Sequence, residues 1–469
     1  MTTVHERAEH PTRRERAAQG KGARALTSLD SQREFEPRAQ RDPVALLLEQ
    51  AATRVPDLVP IRHGRMLASP FSYYRGAALP MTVDLAGTPV SGLRVQLCGD
   101  AHLANFGAFA SPERRLVFDI NDFDETLPGP FEWDVKRLAA SFAVAGRVAG
   151  VNAKTRRRVL LAMVGRYRTA MRGFAQLPML QVWYSHLNID DALTQYRQRF
   201  KPKRFQAIEQ MIATARTHDN RQAARKLTTV VDGHRQVISD PPTVVPIEEL
   251  LGDLDSHVIY DLLRTILSRY RRSLPSDRRY LLERFHLVQV ARKVVGVGSV
   301  GQRAWVLLMD AVDVDDPLVL QAKQAEGSVL ADFCGASRYG NQGERVVAGQ
   351  RLMQATSDIF LGWTHGPDAG GVDRHYYIRQ LRDWKFSFPI EQMRSEGLII
   401  YGDLCGWTVA RAHARSGDRV AIAAYLGRSD RFDQAIADFA EAYADQNERD
   451  YTTFQQAVAA GEVRATTGV

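Results

Sequence analysis

The chain has 469 residues, 45% of them hydrophobic and 25% charged, with a net charge of +8 and three cysteines. This is the make-up of a globular protein too long for one core, so two lobes are expected. No apolar stretch approaches the ~20 residues of a membrane-crossing helix, no cysteine has metal-type spacing, and no aromatic-basic ladder argues for nucleic acid. Residues 1–40 are polar and Arg-rich and predict a mobile arm. They lack an apolar leader, so a cytoplasmic location is expected. Pro43–Arg54 predicts an amphipathic helix with Val44, Leu47, Leu48 and Ala51 on one face. Arg62, Arg65 and Arg75 follow among aromatics; phosphate binding and solvated arginines beside packed rings both fit that pattern.

Residues 97–126 read LCGDAHLANFGAFASPERRLVFDINDFDET. Val95–Cys98 predicts a buried strand that delivers Asp100 to a turn, and Leu116–Ile120 a second strand that delivers Asp122. Three acids, Asp119, Asp122 and Asp124, crowd the end of that strand and would repel one another unless cations compensate them. An Asp, an Asn five residues on, and then an Asp-Phe pair is a set that Mg-dependent phosphoryl transfer uses. The same residue types also gather in turns for their hydrogen bonding alone.

GDAHLAN resembles the GDxHxxN loop of the aminoglycoside and choline phosphotransferase branch of the kinase-like superfamily. The whole block, with FDINDFDET and FEWDVKRLAASF, resembles the bacterial family called domain of unknown function 2252, from about residue 40 to about residue 455. The resemblance implies that Asp100 is the catalytic Asp and that Asn105 and Asp122 are metal ligands, with Asp124 beside them. Asp124 stands where kinases have Gly, and Cys98 where His often precedes Gly-Asp. The principal metal ligand therefore stays open among Asp119, Asp122 and Asp124, with Asp122 favoured because it directly precedes Phe123. Asp134, at the start of a helix from about Glu132, resembles the "DLA" Asp that braces a catalytic loop; a helix-dipole role fits equally well.

That helix carries Val135, Leu138, Ala139 and Phe142 at helical spacing, and residues 153–290 read as mostly helical, with Val159, Leu160, Met163, Tyr167 and Met171 on one face. At Ala291 the pattern changes. ARKVVGVGSVGQRAWVLLM reads as strand, turn, strand, with Gly296, Gly298 and Gly301 spaced G-x-G-x-x-G around Ser299. A Rossmann turn would open a helix, whereas Ala304–Met309 is strand-like and PLVLQAK predicts a third strand ending at Lys323. A kinase-type glycine loop with its Lys on the third strand has this form. GERVVAGQRLMQATSD predicts a helix whose Glu344 is the candidate partner of Lys323. Residues 375–385 alternate like a strand and could carry a nucleotide hinge; 398–417 and about 431–458 predict helices, and 460–469 a frayed end.

The glycine loop, Lys and Glu follow the catalytic turn by nearly 200 residues, yet each half keeps its parts in kinase order. The economical expectation is an α+β, two-lobed kinase-like fold, circularly permuted, with a large mainly helical lobe and a smaller antiparallel-sheet lobe. Expected units are a mobile arm at 1–40, the catalytic turn and helical lobe at 41–290, the nucleotide lobe at 291–392, and helices packing back at 393–469. The expected activity is ATP- and Mg²⁺-dependent phosphotransfer to a small-molecule or protein hydroxyl. In it Asp100 orients the acceptor, Lys323 and Glu344 serve the phosphates, Gly296, Gly298, Ser299 and Gly301 cradle them, and Asn105, Asp122 and Asp124 hold metal. AMP transfer and nucleotide binding without turnover are the alternatives. An aspartyl-nucleophile phosphatase is a third, since Asp122–Thr126 also matches D-x-D-x-T.

Overall fold

The computed structural model describes residues 11–38, 41–252, 256–294, 296–311, 316–368, 370–381, 383–390, 393 and 395–468. Helix α1 (Arg13–Leu26) starts on a reciprocal cap, in which the Thr12 amide donates to Glu15 Oε2 at 2.7 Å and the Glu15 amide to the Thr12 hydroxyl at 3.3 Å. The predicted mobile arm is thus replaced, over its described part, by ordered structure. The Arg-rich composition that suggested mobility is neutralised across the fold, where Arg16 meets Asp418 at 2.7 Å. A Cβ on Gly20 would fall 2.0 Å from the Ala421 carbonyl oxygen, so glycine lets α1 lie directly on that later helix. Residues 1–10 and 39–40 lie outside the described residues.

Asp42 caps α2 (Pro43–Ala51), which buries Val44, Leu47 and Ala51 but leaves Leu48 44% exposed, off the predicted face. Short helices α3 (Val59–Met66), α4 (Pro70–Gly76) and α5 (Ala78–Leu85) follow. Then β1 (Arg94–Leu97) pairs with β4 (Leu127–Pro130), and the hairpin of β2 (Phe106–Ala110) and β3 (Leu116–Ile120) is extended by β5 (Leu187–Asn188). Helix α6 (Phe131–Val148) is buried on every side from Phe131 to Gly146, which explains why its apolar residues exceed one stripe. Then come α7 (Ala153–Phe174), which packs on α6, and α8 (Met179–Tyr184), α9 (Ile189–Tyr196) and α10 (Pro202–Ala215). Helix α7 buries the face that its spacing predicts.

The predicted boundary at residue 290 moves. Helix α11 (Asn220–Leu227), hairpin β6 (Thr228–Val231) and β7 (His234–Val237), strand β8 (Val244–Pro246), and helices α12 (Ile247–Leu250), α13 (Ser256–Ser273) and α14 (Ser276–Leu282) precede the strands β9 (Phe285–Lys293), β10 (Ala304–Ala311) and β11 (Pro317–Ala325). After α15 (Ala331–Cys334) and α16 (Gln342–Met353), β12 (Gly362–Pro367) and β13 (Asp373–Gln380) complete an antiparallel sheet in the order β12-β13-β11-β10-β9-β8. Leu307, Met309, Leu318 and Leu320 face Leu267, Tyr270 and Leu282 on one side, while Val306, Leu308 and Val319 face Ala224, Leu227 and Val237 on the other. With period-two alternation, β10 and β11 need a cover on both faces, so residues 220–282 belong to the sheet's cores and not to the helical body. The strand predicted over 375–385 ends at Gln380. The tip of the β10–β11 turn lies outside the described residues.

The chain then returns to the helical body as α17 (Ser395–Ser416), α18 (Arg419–Leu426) and α19 (Arg431–Ala459). A Cβ on Gly406 would sit 2.2 Å from the Met163 carbonyl oxygen, so α17 and α7 touch backbone to backbone there. The tail is not frayed over its described part: Val463 is buried and the Thr466 amide donates to Pro60 O at 2.8 Å. No described helix is long and apolar enough to cross a membrane.

One buried ion triad ties the segment before α2 to α5 and α19. Arg41, its side chain 2% exposed, lies 2.7 Å from Asp84 and 2.6 Å from Asp450. Removing Arg41 would leave two buried carboxylates facing each other, so Arg41→Ala should cost about 3–5 kcal/mol in urea denaturation. Burial already pushes Asp84 up to about 7, against the pull of Arg41. Without that cation the folded Asp84 carboxyl holds its proton further above the unfolded value of about 4. The folded state is then favoured at low pH and loses stability as pH rises, so the urea midpoint of the variant should fall between about pH 5 and about pH 8 more than that of the parent.

Candidate active site

Strand β1, with Val95 and Leu97 buried, carries the chain to Cys98 and Gly99, where the backbone turns with φ +85° at Gly99. A Cβ there would come 2.4 Å from the Glu125 carbonyl oxygen, so only glycine fits this crossing. Asp134, in the first turn of α6, accepts the Cys98 amide at 2.8 Å and the Gly99 amide at 3.1 Å. Its Oδ2 is also 3.2 Å from His413 Nε2 on α17, whose Nδ1 is 3.0 Å from the Tyr167 hydroxyl. Asp134 therefore braces the turn. Asn105 Nδ2 donates to Asp100 O at 2.9 Å and closes the loop, which leaves its Oδ1 as the amide's oxygen donor for a cation.

The Asp100 side chain faces Arg137, whose Nε and Nη2 lie 2.9 and 2.7 Å from Oδ1. Burial pushes the Asp100 carboxyl upward, and Arg137 pulls against it. His102 Nε2 is 3.7 Å from Asp100 Oδ2; burial, then Arg75 and Arg137, hold its pKa well below the usual imidazole range, so the ring is neutral. Arg137 has no counterpart among the residues singled out in the sequence. The signal was present, because it lies three residues after Asp134 and therefore on the same helix face.

Of the three acids at the end of β3, Asp119 is withdrawn from the site. It is 1% exposed, pairs with Arg411, and accepts the Ile120 and Ala355 amides at 2.9 Å each. Asp122 and Asp124 remain at the cleft. Lys323, on the central strand β11, lies 2.7 Å from Asp124 Oδ2 and 3.9 Å from Asp122 Oδ2. Tyr377, directly opposite Lys323 in the β11–β13 register, donates its hydroxyl to Asp124 Oδ1 at 2.7 Å. Burial works against the Asp124 carboxylate, but Lys323 and Tyr377 outweigh it and hold its pKa below the ordinary value. Burial, then Asp124, pushes Asp122 the other way, opposed by Lys323 and Arg379.

Glu344 is not the partner of Lys323. Among the described residues the ion pairs of Lys323 are with Asp122 and Asp124, and α16 reaches the site one residue later, through buried Arg345. Arg345 donates to the carbonyls of Asp124, Thr126 and Glu326 at 2.7–2.8 Å. A guanidinium with five donors can gather three carbonyls, and its helical neighbour then points about 100° away.

The β9–β10 turn closes the cleft from the sheet side. Gly296 and Gly301 take φ +67° and +89°, and a Cβ on Gly298 would press within 2.9 Å of Arg75 O. Arg65 and Arg54 donate to the carbonyls of Gly296 and Val300, and the Val55 amide donates to Gly301 O. The cleft is lined by Asp100, His102, Asn105, Asp122, Asp124 and Glu125, by Gly296–Ser299, and by Arg54, Arg62 and Arg75. A neighbouring cavity shares Asp122, Gly296 and Ser299 with it and carries Lys226, Lys293, Lys323, Arg379 and Lys385. Gly301 stands at the anchored shoulder against Arg54, behind the lining.

The described residues hold no preformed metal cluster of three or more His, Cys, Asp or Glu side chains. Two carboxylates and an amide oxygen are nevertheless the hard donors that Mg²⁺ takes, the rest of its shell being water and phosphate. Asp122, Asp124 and Asn105 fit that chemistry once Lys323 lets go of Asp124.

A family model described as an uncharacterised protein conserved in bacteria, DUF2252, matches residues 54–457. The chain belongs to the DUF2252 family. No curated protein and no solved structure matches it. The matched span of this DUF2252 protein opens at Arg54, which anchors the glycine turn, and takes in all of the residues that line the cleft except Gln50. Two of its amides depend on Asp134. Asp134→Ala should lose about 3 kcal/mol, as buried donors left without an acceptor cost of this order. Hydrogen exchange should quicken at Cys98 and Gly99, and Asp134→Asn, which keeps one acceptor oxygen, should lose less.

Proposed function

We propose that this DUF2252 protein is an ATP- and Mg²⁺-dependent phosphotransferase with a two-lobed, circularly permuted kinase-like fold, acting on a hydroxyl-bearing acceptor. The observation that carries the proposal is the convergence of distant segments. The turn at Gly296–Ser299 lines one cleft with Asp100, Asn105 and Asp122, and Lys323 bonds to Asp124 across 199 residues of sequence. A chance glycine pattern has no reason to meet this acidic loop. Permutation is supported where α17 ends: the Gln96 amide on β1 donates to Ser416 Oγ at 3.2 Å, so joining α17 to β1 would restore kinase order.

In this mechanism the backbone amides of Gly296–Ser299 approach the phosphates, and Lys323 exchanges Asp124 for the α/β-phosphates. Bound Mg²⁺ would supply charge neutralisation on the transferring phosphoryl group and its leaving oxygen. Asp122, Asp124 and Asn105 would hold it. Asp100, fixed by Arg137, orients the acceptor hydroxyl and accepts its proton as the new O–P bond forms and the β–γ bridging bond breaks. The D-x-D-x-T phosphatase alternative is weakened by Thr126, which is fully buried and donates to Leu97 O at 2.6 Å. AMP transfer or binding without turnover is the second reading, and the pairing of Lys323 with Asp124 in place of Glu344 favours it. Incubation with α- and γ-labelled ATP separates these outcomes by which label moves.

ATP with Mg²⁺ should raise Tm, because a ligand bound only by the native state stabilises it. Asp122→Asn should abolish the Mg²⁺-dependent part of that rise, and Lys323→Ala most of the nucleotide part. Asp100→Ala should slow turnover by roughly 10²–10⁴-fold while the Kd for nucleotide stays within about twofold, since Asp100 faces the acceptor. Normal turnover in that variant would make Asp100 a structural residue.

A further inference from the structure

Of two buried arginines in the cleft, Arg62 has no carboxylate acting on it, and Arg54 has Glu326, Glu125 and Asp124 at a distance only. Arg62 is fully buried; its Nη2 donates to Gln50 Oε1 at 2.8 Å and to Gly76 O at 2.7 Å, while Nε and Nη1 have no hydrogen-bond partner. Arg54, 5% exposed, gives Nη1 to the Val300 carbonyl and leaves Nε without a partner. Neither makes an ion pair among the described residues, and the two guanidiniums feel each other's like charge. A guanidinium does not discharge in a protein, and burying one without a counter-charge is costly. Across the cleft, Asp100 is answered by Arg137 and Asp124 by Lys323, while Glu125 accepts the Val329 amide at 2.8 Å.

We propose that this wall is an oxyanion site, and that the acceptor carries a phosphate or carboxylate beside its hydroxyl. The proposal rests on the phosphotransferase assignment for the word acceptor, and on the arginines alone for the anion. The glycine turn lines the same cavity, so competition with Mg-ADP is what separates this anion from the nucleotide's own phosphates. Arg54 and Arg62 line the cavity that holds Asp100 and are absent from the lining of the neighbouring cavity that holds Lys323. An anion held by Arg62 would therefore lie on the side where Asp100 waits for a hydroxyl.

The test is calorimetric titration of the full chain with glycerol 3-phosphate, glycerate and glycerol, alone and with Mg-ADP at saturation. One or both anions should bind and glycerol should not, the stronger anion identifying phosphate or carboxylate as the group. Arg62→Gln should weaken the anion on the order of ten- to a hundredfold, the worth of a charged hydrogen bond. Arg75→Gln, at a half-buried position on the same wall, should weaken it less and guards against misfolding of the first variant. Anion binding that is displaced by Mg-ADP would assign the arginines to nucleotide phosphate and overturn the proposal. No binding of either anion would overturn it as well. Anion binding that depends on Arg62 in a protein that binds no ATP would uphold the oxyanion site and sink the phosphotransferase assignment instead.

Discussion

Holding two half-buried carboxylates side by side is the constraint on which the arrangement of this molecule depends. Asp122 and Asp124 end a strand whose preceding residues are all buried, so neither can retreat into solvent without unpicking β3. A unit charge pair at ~4 Å is worth about 4 kcal/mol at an effective dielectric of 20, before desolvation is counted. Lys323 supplies that attraction to both acids, at 2.7 and 3.9 Å, and Tyr377 adds a neutral donor. Because Lys323 sits on the sheet's most buried strand, the same pair fixes how the sheet meets the helical body. Electrostatic compensation and the docking of the sheet are one interaction here.

The sequence carried this arrangement unevenly. Strand ends marked by acids, the glycine turn and the lysine that closes PLVLQAK were legible because each combines a period-two apolar run with a polar stop. Residues 13–38 misled, because their charges find partners such as Asp418 that composition does not reveal. Helices between 247 and 282 looked continuous with those before them, yet they cover the sheet, and nothing local distinguishes the two destinations.

Glu344 and Arg345 show a finer limit. Spacing places a helix near the site but leaves its rotation free by about 100° per residue, and the buried role went to the neighbour. The identity of the withdrawn acid was equally out of reach, since it is decided by Arg411 on a helix almost 300 residues away. Arg62 stays open between phosphate binding and a solvated surface until its burial is known, because sequence shows a charge but not its surroundings.

The fastening of the β9–β10 turn has a kinetic side. Its tip is tied to Arg54, Val55 and Arg65, so the hairpin resembles a latched door more than a free flap. An occupant that needs the turn lifted would wait until those three bonds let go together. Entry and exit would then share one slow gate, and residence inside the cleft would be set by how often the latch lifts as much as by how well the occupant is held.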